Sequence, residues 1–291
     1  REGVGVPIDP DRLTALPFPD VTRRHDRRAC VLYALGVGVG DDPTDPRQLA
    51  FATEEGTGVL PTMACTLAHP GFWSRDLPTG IDHARVVHGE EALDLHAPLP
   101  SEGDLVGRCR IVEVADKGPG RGALVRVERA IHDRLTGRRL ATVVSTSFCR
   151  ADGGFGGPPG RPVPDWTRPD RPPDHAVTVR TLAQAALIYR LNGDTNLLHA
   201  DPAFARAAGF PRPVLHGLAT FGIAGRALLA ALCDWSPDGL RSIGARFSAP
   251  VEPGETLRFD VWTDGAAVLF EGWSVDHARP VLARGTALLR G

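Results

Sequence analysis

A long apolar stretch runs from about Gly217 to Cys233, where Ala224, Leu228, Leu229 and Leu232 recur at the three-and-four spacing of one helix face. A long helix is expected there. Ahead of it the pattern predicts a helix from about Thr181 to Leu191, a loop crowded with polar residues, and a short helix near Pro202 to Ala208. After it, Phe247, Val251, Leu257, Phe259 and Val261 alternate or cluster as half-buried strands do, with turns at Pro253-Gly254 and Asp264-Gly265. One long helix followed by antiparallel strands is an α+β arrangement, the helix wrapped by the sheet.

The first half carries a cut version of the same pattern. Its helix, from about Thr62, meets Pro70-Gly71 after eight residues. Proline inside a helix costs ~3 kcal/mol, so the helix ends there. Both halves close on β-rich segments, Leu140 to Phe148 and Pro280 to Leu289. Three further anchors fall in the same order at nearly one offset. Tyr33 matches Tyr189, each ending an apolar segment before a glycine-containing turn. Val59-Leu60-Pro61-Thr62 matches Val214-Leu215-His216-Gly217 before a helical run, and Ala97-Pro98-Leu99 matches Ala249-Pro250-Val251 before a strand. The chain is a tandem repeat. Between its halves, residues 151–173 are dominated by glycine and proline and cannot keep a regular backbone ladder. The expected organisation is therefore residues 1–150, a linker over 151–173, and residues 174–291.

Composition narrows the function classes. A hydrophobic content of 42%, a charged content of 23% and a net charge of −2 describe a soluble globular protein with no whole-molecule attraction to nucleic acid or anionic membrane. No apolar run reaches the ~18 residues of a membrane span, and the start Arg1-Glu2-Gly3-Val4 lacks the regions of a signal peptide. Cys30, Cys65, Cys109, Cys149 and Cys233 are widely spaced, form no CxxC pair, and read as free thiols of a cytoplasmic protein. No P-loop, dinucleotide-binding glycine turn or HExxH zinc site is present, and no metal is expected.

The densest packing of polar among apolar residues is Tyr189-Arg190-Leu191-Asn192-Gly193-Asp194-Thr195-Asn196-Leu197-Leu198-His199-Ala200-Asp201-Pro202. It is followed by Ala208-Gly209-Phe210 and Val214-Leu215-His216-Gly217-Leu218. This pattern resembles the signature of the MaoC-like (R)-specific enoyl-CoA hydratases, also found as the hydratase part of peroxisomal multifunctional enzyme type 2. The family pattern runs Gly-Asp-x-Asn-Pro-x-His-x-Asp, then Ala-Gly-Phe, then His-Gly-Leu. All of it is kept here except the proline, which is Leu197.

The resemblance implies a tandem double hot-dog fold, each half a central helix wrapped by an antiparallel sheet. It implies reversible addition of water to 2-enoyl-CoA in β-oxidation of long or bulky acyl chains, fatty or sterol-derived. Coenzyme A then belongs to the substrate and no cofactor is needed. The acyl-CoA thioester is the expected partner, and a monomer and a homodimer both remain open. A dehydratase of 3-hydroxyacyl groups on acyl carrier protein, or a hydratase of short, branched or dicarboxylic CoA esters, would use the same chemistry. A non-catalytic acyl-thioester binding protein is the alternative from another class, and the intact motif argues against it.

The residues themselves fit hydration. Asp194 and His199 stand five apart on a loop, where they can converge on one point as they could not in a regular helix or strand. Hydration needs a proton removed from water as it attacks the β-carbon and a proton delivered to the α-carbon, so two groups of complementary protonation must share one water. Asn196 would orient that water or the loop. As the enolate forms, the thioester carbonyl gains negative charge, and Gly217 opens the long helix where free amides and the positive dipole end are available. The resemblance likewise assigns the Gly217 amide to that oxygen. His216 reads either as a substrate-site residue or, favoured, as a structural one bonding to the loop.

In the first half these positions are emptied of chemistry. Val37-Gly38 and Asp41-Asp42-Pro43-Thr44-Asp45-Pro46 replace the motif, and Pro61 replaces the histidine. The cut helix leaves room for an acyl tail, with Met63 and Leu67 as expected lining residues. Gly36-Val37-Gly38-Val39-Gly40 reads as a loop. His88-Gly89-Glu90-Glu91 reads as a surface or interface turn ahead of a strand beginning near Leu93. Arg246 could reach a coenzyme A phosphate, although a strand arginine is more often solvated or ion-paired.

Overall fold

The computed structural model describes residues 8–161 and 166–290. Its first half contains helices α1 (Pro10–Thr14), α2 (Arg27–Gly36), α3 (Pro46–Ala52) and α4 (Trp73–Asp76). Its strands are β1 (Val21–His25), β2 (Val86–Leu95), β3 (Gly103–Asp116), β4 (Ala123–Asp133) and β5 (Arg139–Cys149). The second half contains β6 (His175–Arg180), α5 (Ala185–Tyr189), α6 (Pro202–Ala207), α7 (Gly217–Leu232) and strands β7 (Leu240–Phe247), β8 (Thr256–Asp264), β9 (Ala267–Ser274) and β10 (Arg279–Leu289).

All ten strands form one antiparallel sheet in the order β1-β3-β4-β5-β2-β7-β10-β9-β8-β6. Read outward from the centre, each half repeats the same order, which is the tandem repeat in structural form. The halves join where β2 pairs with β7, Leu93 facing Ile243 and Glu90 facing Arg246. This is the expected double hot-dog.

The sheet wraps α7, whose residues from Ala219 to Leu229 are all buried. Its glycines let neighbours come close. A β-carbon at Gly222 would fall 2.7 Å from both Tyr33 Oη and Val37 Cγ1, and one at Gly225 would fall 2.5 Å from Thr62 Cγ2. Just past the end of the helix, Asp234 and Trp235 both lie in the left-handed region, at φ 43° and 62°. One continuous core takes in Tyr33, Val37 and Met63 from the first half with Ala224, Leu228 and Phe270 from the second.

Three expectations need correction. The central element of the first half is only a 3-10 turn, Pro61–Cys65, shorter than the eight residues the proline allowed. Its path bends at Ala68, which is left-handed at φ 46°. The helix expected from Thr181 begins at Ala185, because Thr181 donates its hydroxyl to the Glu255 carbonyl and pins the preceding residues to a turn. The segment His88-Gly89-Glu90-Glu91 is not a surface turn but part of β2, bulged between His88 and Glu90, with Glu91 buried beside His88. Period-two alternation is broken at that bulge, which hid the strand.

Residues 151–161 form no helix or strand, yet they are tied down. The Asp116 carboxylate accepts from the Gly154 and Gly156 amides, and Glu113 accepts from the Arg161 amide. Residues 162–165 of the expected linker lie outside the described residues. Among the described residues no helix is long and apolar enough to cross a membrane.

Candidate active site

The loop between α5 and α6 is built by its own polar side chains. A 3-10 turn over Arg190–Asn192 ends at Gly193, whose φ of 118° is closed to most residues with a β-carbon. Asp194 follows, and its carboxylate accepts from the Asn196 amide at 3.1 Å. Asn196 in turn accepts from the Leu198 amide at 3.0 Å and caps a second 3-10 turn, Leu197–His199. These are short-range bonds of Asx type. The Asn196 side chain therefore helps hold the loop in shape.

His199 arrives on that turn with its Nδ1 2.8 Å from the Val214 carbonyl. A carbonyl only accepts, so Nδ1 donates and Nε2 carries the bare lone pair. One side-chain ligand atom each of Asp194, His199 and His216 lie within 4.8 Å of one another. The dyad therefore converges. Burial lowers the His199 pKa, opposed by the Val214 carbonyl and the Asp194 carboxylate, so the imidazole is held neutral.

His216 is 1% exposed and packs behind the dyad. Its ring stacks on His199 with centroids 3.7 Å apart and planes inclined by 25°, and the tilted Tyr189 ring packs against it at 5.0 Å. Its Nε2 lies 3.3 Å from the Asp194 carbonyl, so it ties the loop that carries Asp194 to the start of α7. Burial and the neighbouring His199 press its pKa down to about 4. Nearly parallel imidazoles send their lone pairs along parallel lines, and a cation midway would lie well out of both ring planes. That arrangement suits stacking better than metal ligation.

Gly217 is the first residue of α7, and the preceding His216 makes no side-chain cap bond. The first amides of a buried helix are thus available beside the dyad, at the positive end of its dipole. A β-carbon at Gly217 would fall 3.3 Å from the Phe247 ring, so the glycine keeps this approach narrow but open. Phe247 itself lies 4.6 Å from the His88 ring.

The remaining predicted residues lie elsewhere. Arg246 is bound to Glu90 at 2.6 Å across the junction of the halves, and Arg126 reaches the same carboxylate, so its guanidinium is engaged in an ion-pair network. Met63 and Leu67 are each 3% exposed within the main core. A cavity of about 420 Å³ does open beside the short turn, but its apolar walls are Phe51, Val59, Pro61, Leu95, Leu99 and Trp235. Sequence reasoning missed Tyr189 as a site residue although it anchored the repeat. It also missed the Val214 carbonyl, a main-chain group that leaves no signal.

Residues 165–283 match the model of the MaoC like domain, and residues 24–151 match that of the MFE-2 hydratase 2 N-terminal domain. The chain is 42% identical to "3-hydroxyacyl-thioester dehydratase Y" of Mycobacterium tuberculosis over 88% of its own length and 87% of that protein. It is 39% identical to "Enoyl-CoA hydratase ChsH3" of the same organism, over 98% and 99%. A MaoC-like dehydratase from Phytophthora capsici superposes with a TM-score of 0.84 at 31% identity, covering 96% of this chain and 98% of that one. With both halves matched in order and the double hot-dog intact, the chain belongs to the MaoC-like enoyl-CoA hydratase 2 family.

Proposed function

We propose that this chain is an (R)-specific 2-enoyl-CoA hydratase, equally a 3-hydroxyacyl-CoA dehydratase in reverse, whose chemistry resides in Asp194 and His199. The carrying observation is their convergence: an Asp194 carboxylate oxygen and a His199 ring nitrogen within 4.8 Å, on an imidazole whose Nδ1 is engaged by Val214, next to the uncapped start of α7. Water held between the two attacks the β-carbon. The new C–O bond forms as one O–H bond breaks, and the pair passes that proton to the α-carbon as the double bond is consumed. The Gly217 amide faces the thioester oxygen while it bears negative charge, a term worth several kcal/mol in enclosed sites. Every step uses the chain's own groups, and coenzyme A enters as part of the substrate.

The acyl tail is assigned to the first half, where the central helix is cut to one 3-10 turn and leaves a cavity walled by Phe51, Val59, Leu95 and Trp235, with Arg47, Asp238 and Arg290 also lining it. Long or ring-bearing tails, including sterol side chains, fit this reading best, and the names of relatives acting on enoyl-CoA favour coenzyme A over a protein carrier. The test is hydration of crotonyl-CoA and a long-chain enoyl-CoA with chiral analysis of the product. The expected product is the (3R)-hydroxyacyl-CoA. A (3S) product, or no hydration of either substrate, overturns the assignment.

A further inference from the structure

The two tyrosines that mark the repeat, Tyr33 and Tyr189, meet where the halves face each other, their rings 6.0 Å apart. Each is 1% exposed, and neither hydroxyl has a hydrogen-bond partner among the described residues. Three more polar atoms share that condition nearby: Thr62 Oγ1, Glu91 Oε1 and His216 Nδ1, each on a residue 1% exposed. They are neighbours. The Tyr33 hydroxyl lies close enough to those of Thr62 and Tyr189 to interact with them, though outside strict hydrogen-bond geometry, and Glu91 lies within electrostatic reach of both rings. Tyr189 in turn packs on His216.

Buried polar groups are nearly always satisfied, by protein or by ordered water, and an isolated failure is a few per hundred residues. Four of them gather around the Tyr33–Tyr189 contact and the fifth belongs to the ring packed on Tyr189, so the two halves together offer the partners a buried water requires. His216 sharpens the requirement. Its Nε2 faces the Asp194 carbonyl and so must donate, leaving Nδ1 an acceptor that needs a donor.

We propose that Tyr33, Thr62, Glu91 and Tyr189 form a binding site for one or more ordered waters, which supply the donor to His216 Nδ1. That donor fixes the His216 tautomer whose Nε2–H holds the Asp194 backbone. Tyr33, Glu91 and Tyr189 are then positioning residues, and the non-catalytic half sets the geometry of the catalytic one. The kinetic part rests on the hydratase reading above; the water site itself does not.

Two measurements separate these. A high-resolution crystal structure should show water within hydrogen-bond distance of Glu91 Oε1 and Tyr33 Oη. A dry cluster overturns the proposal whatever the enzyme's activity. Tyr33→Phe then reads the consequence. Removing a hydroxyl from a dry site relieves an unsatisfied group and raises Tm, whereas removing it from a hydrated site breaks bonds and lowers Tm. The expected result is a lower Tm with kcat down about tenfold, one hydrogen bond's worth, at unchanged KM. Glu91→Gln, which keeps hydrogen bonding, should retain kcat where Glu91→Leu loses it. A raised Tm in Tyr33→Phe, or equal kcat in the two Glu91 variants, overturns the positioning role.

Discussion

At the scale of single residues, the proposed roles of Asp194 and His199 depend on what their neighbours let each group do. The Val214 carbonyl orients the His199 ring, Asn196 shapes the loop, and burial keeps the imidazole uncharged. Asp194→Asn and His199→Gln keep volume and remove a proton-transfer partner, so each should lower kcat by about 10²–10⁴-fold with Tm nearly unchanged. Retention of most of the turnover in either variant removes that residue from the mechanism. The pH dependence of stability follows from His216. Its protonation is disfavoured in the fold, so between the ordinary value of 6.5 and about 4 the unfolded chain binds more protons than the folded one. Stability therefore falls as pH drops through that window. Thermal melts of the wild type and His216→Asn should show a shallower acid slope in the variant, and equal slopes would exclude His216 as its source.

At the scale of elements, α7 and the 3-10 turn beside it are matched surfaces. Replacing glycine by alanine in a helix gains up to ~1 kcal/mol of propensity, while overpacking a tight contact costs ~1–3 kcal/mol. At Gly225 the new carbon would sit 2.5 Å from Thr62 Cγ2, so the second effect wins. Gly225→Ala should lose about 1 kcal/mol in urea unfolding; a gain would mean that the turn yields freely. The same cut turn leaves the cavity lined by Val59. With 16 residues at about 1.5 Å each, α7 spans about 24 Å, and this cavity lies by the segment after its far end, including Asp234 and Leu240. Val59→Trp should raise KM for long or ring-bearing enoyl-CoA and leave crotonyl-CoA untouched. Equal effects on both substrates would remove the cavity from tail binding.

At the scale of the molecule, the two halves are one folding unit. A sheet of ten strands runs through both, β2 and β7 share a ladder at the junction, and the main core draws on residues from each side. Arg246 pairs with Glu90 across the same junction, Arg126 reaches that carboxylate from the first half, and buried Arg226 of α7 meets Asp41 of the other half. Chemical unfolding should therefore be a single transition, coincident by circular dichroism and tryptophan fluorescence. Residues 174–291 made alone should aggregate, because they would present the unpaired edge of β7 and the apolar face of α7 that Tyr33 and Val37 cover. Two separated transitions, or a soluble folded half, would show that the repeat is two domains in energy as well as in sequence.

Much of this was legible in the chain itself. Local interactions encode α7, the glycine at Gly193 and the Asx turns of Asp194 and Asn196, so the helix and the loop could be read from short-range chemistry. The repeat was equally readable, since Tyr33 and Tyr189 stand at matching places and carry the same packing role. Other features depend on partners distant in sequence. The strand through His88 was masked by a bulge that only its pairing with β5 defines, and Glu91 is buried only because β2 lies between β5 and β7. Met63 and Leu67 face the core rather than the cavity because the 3-10 turn docks against the glycines of a helix some 160 positions away. The sequence by itself determined the local elements, the motif and the emptied first half. The tertiary structure alone decided which buried groups meet, because that depends on how the strands join and how closely α7 docks.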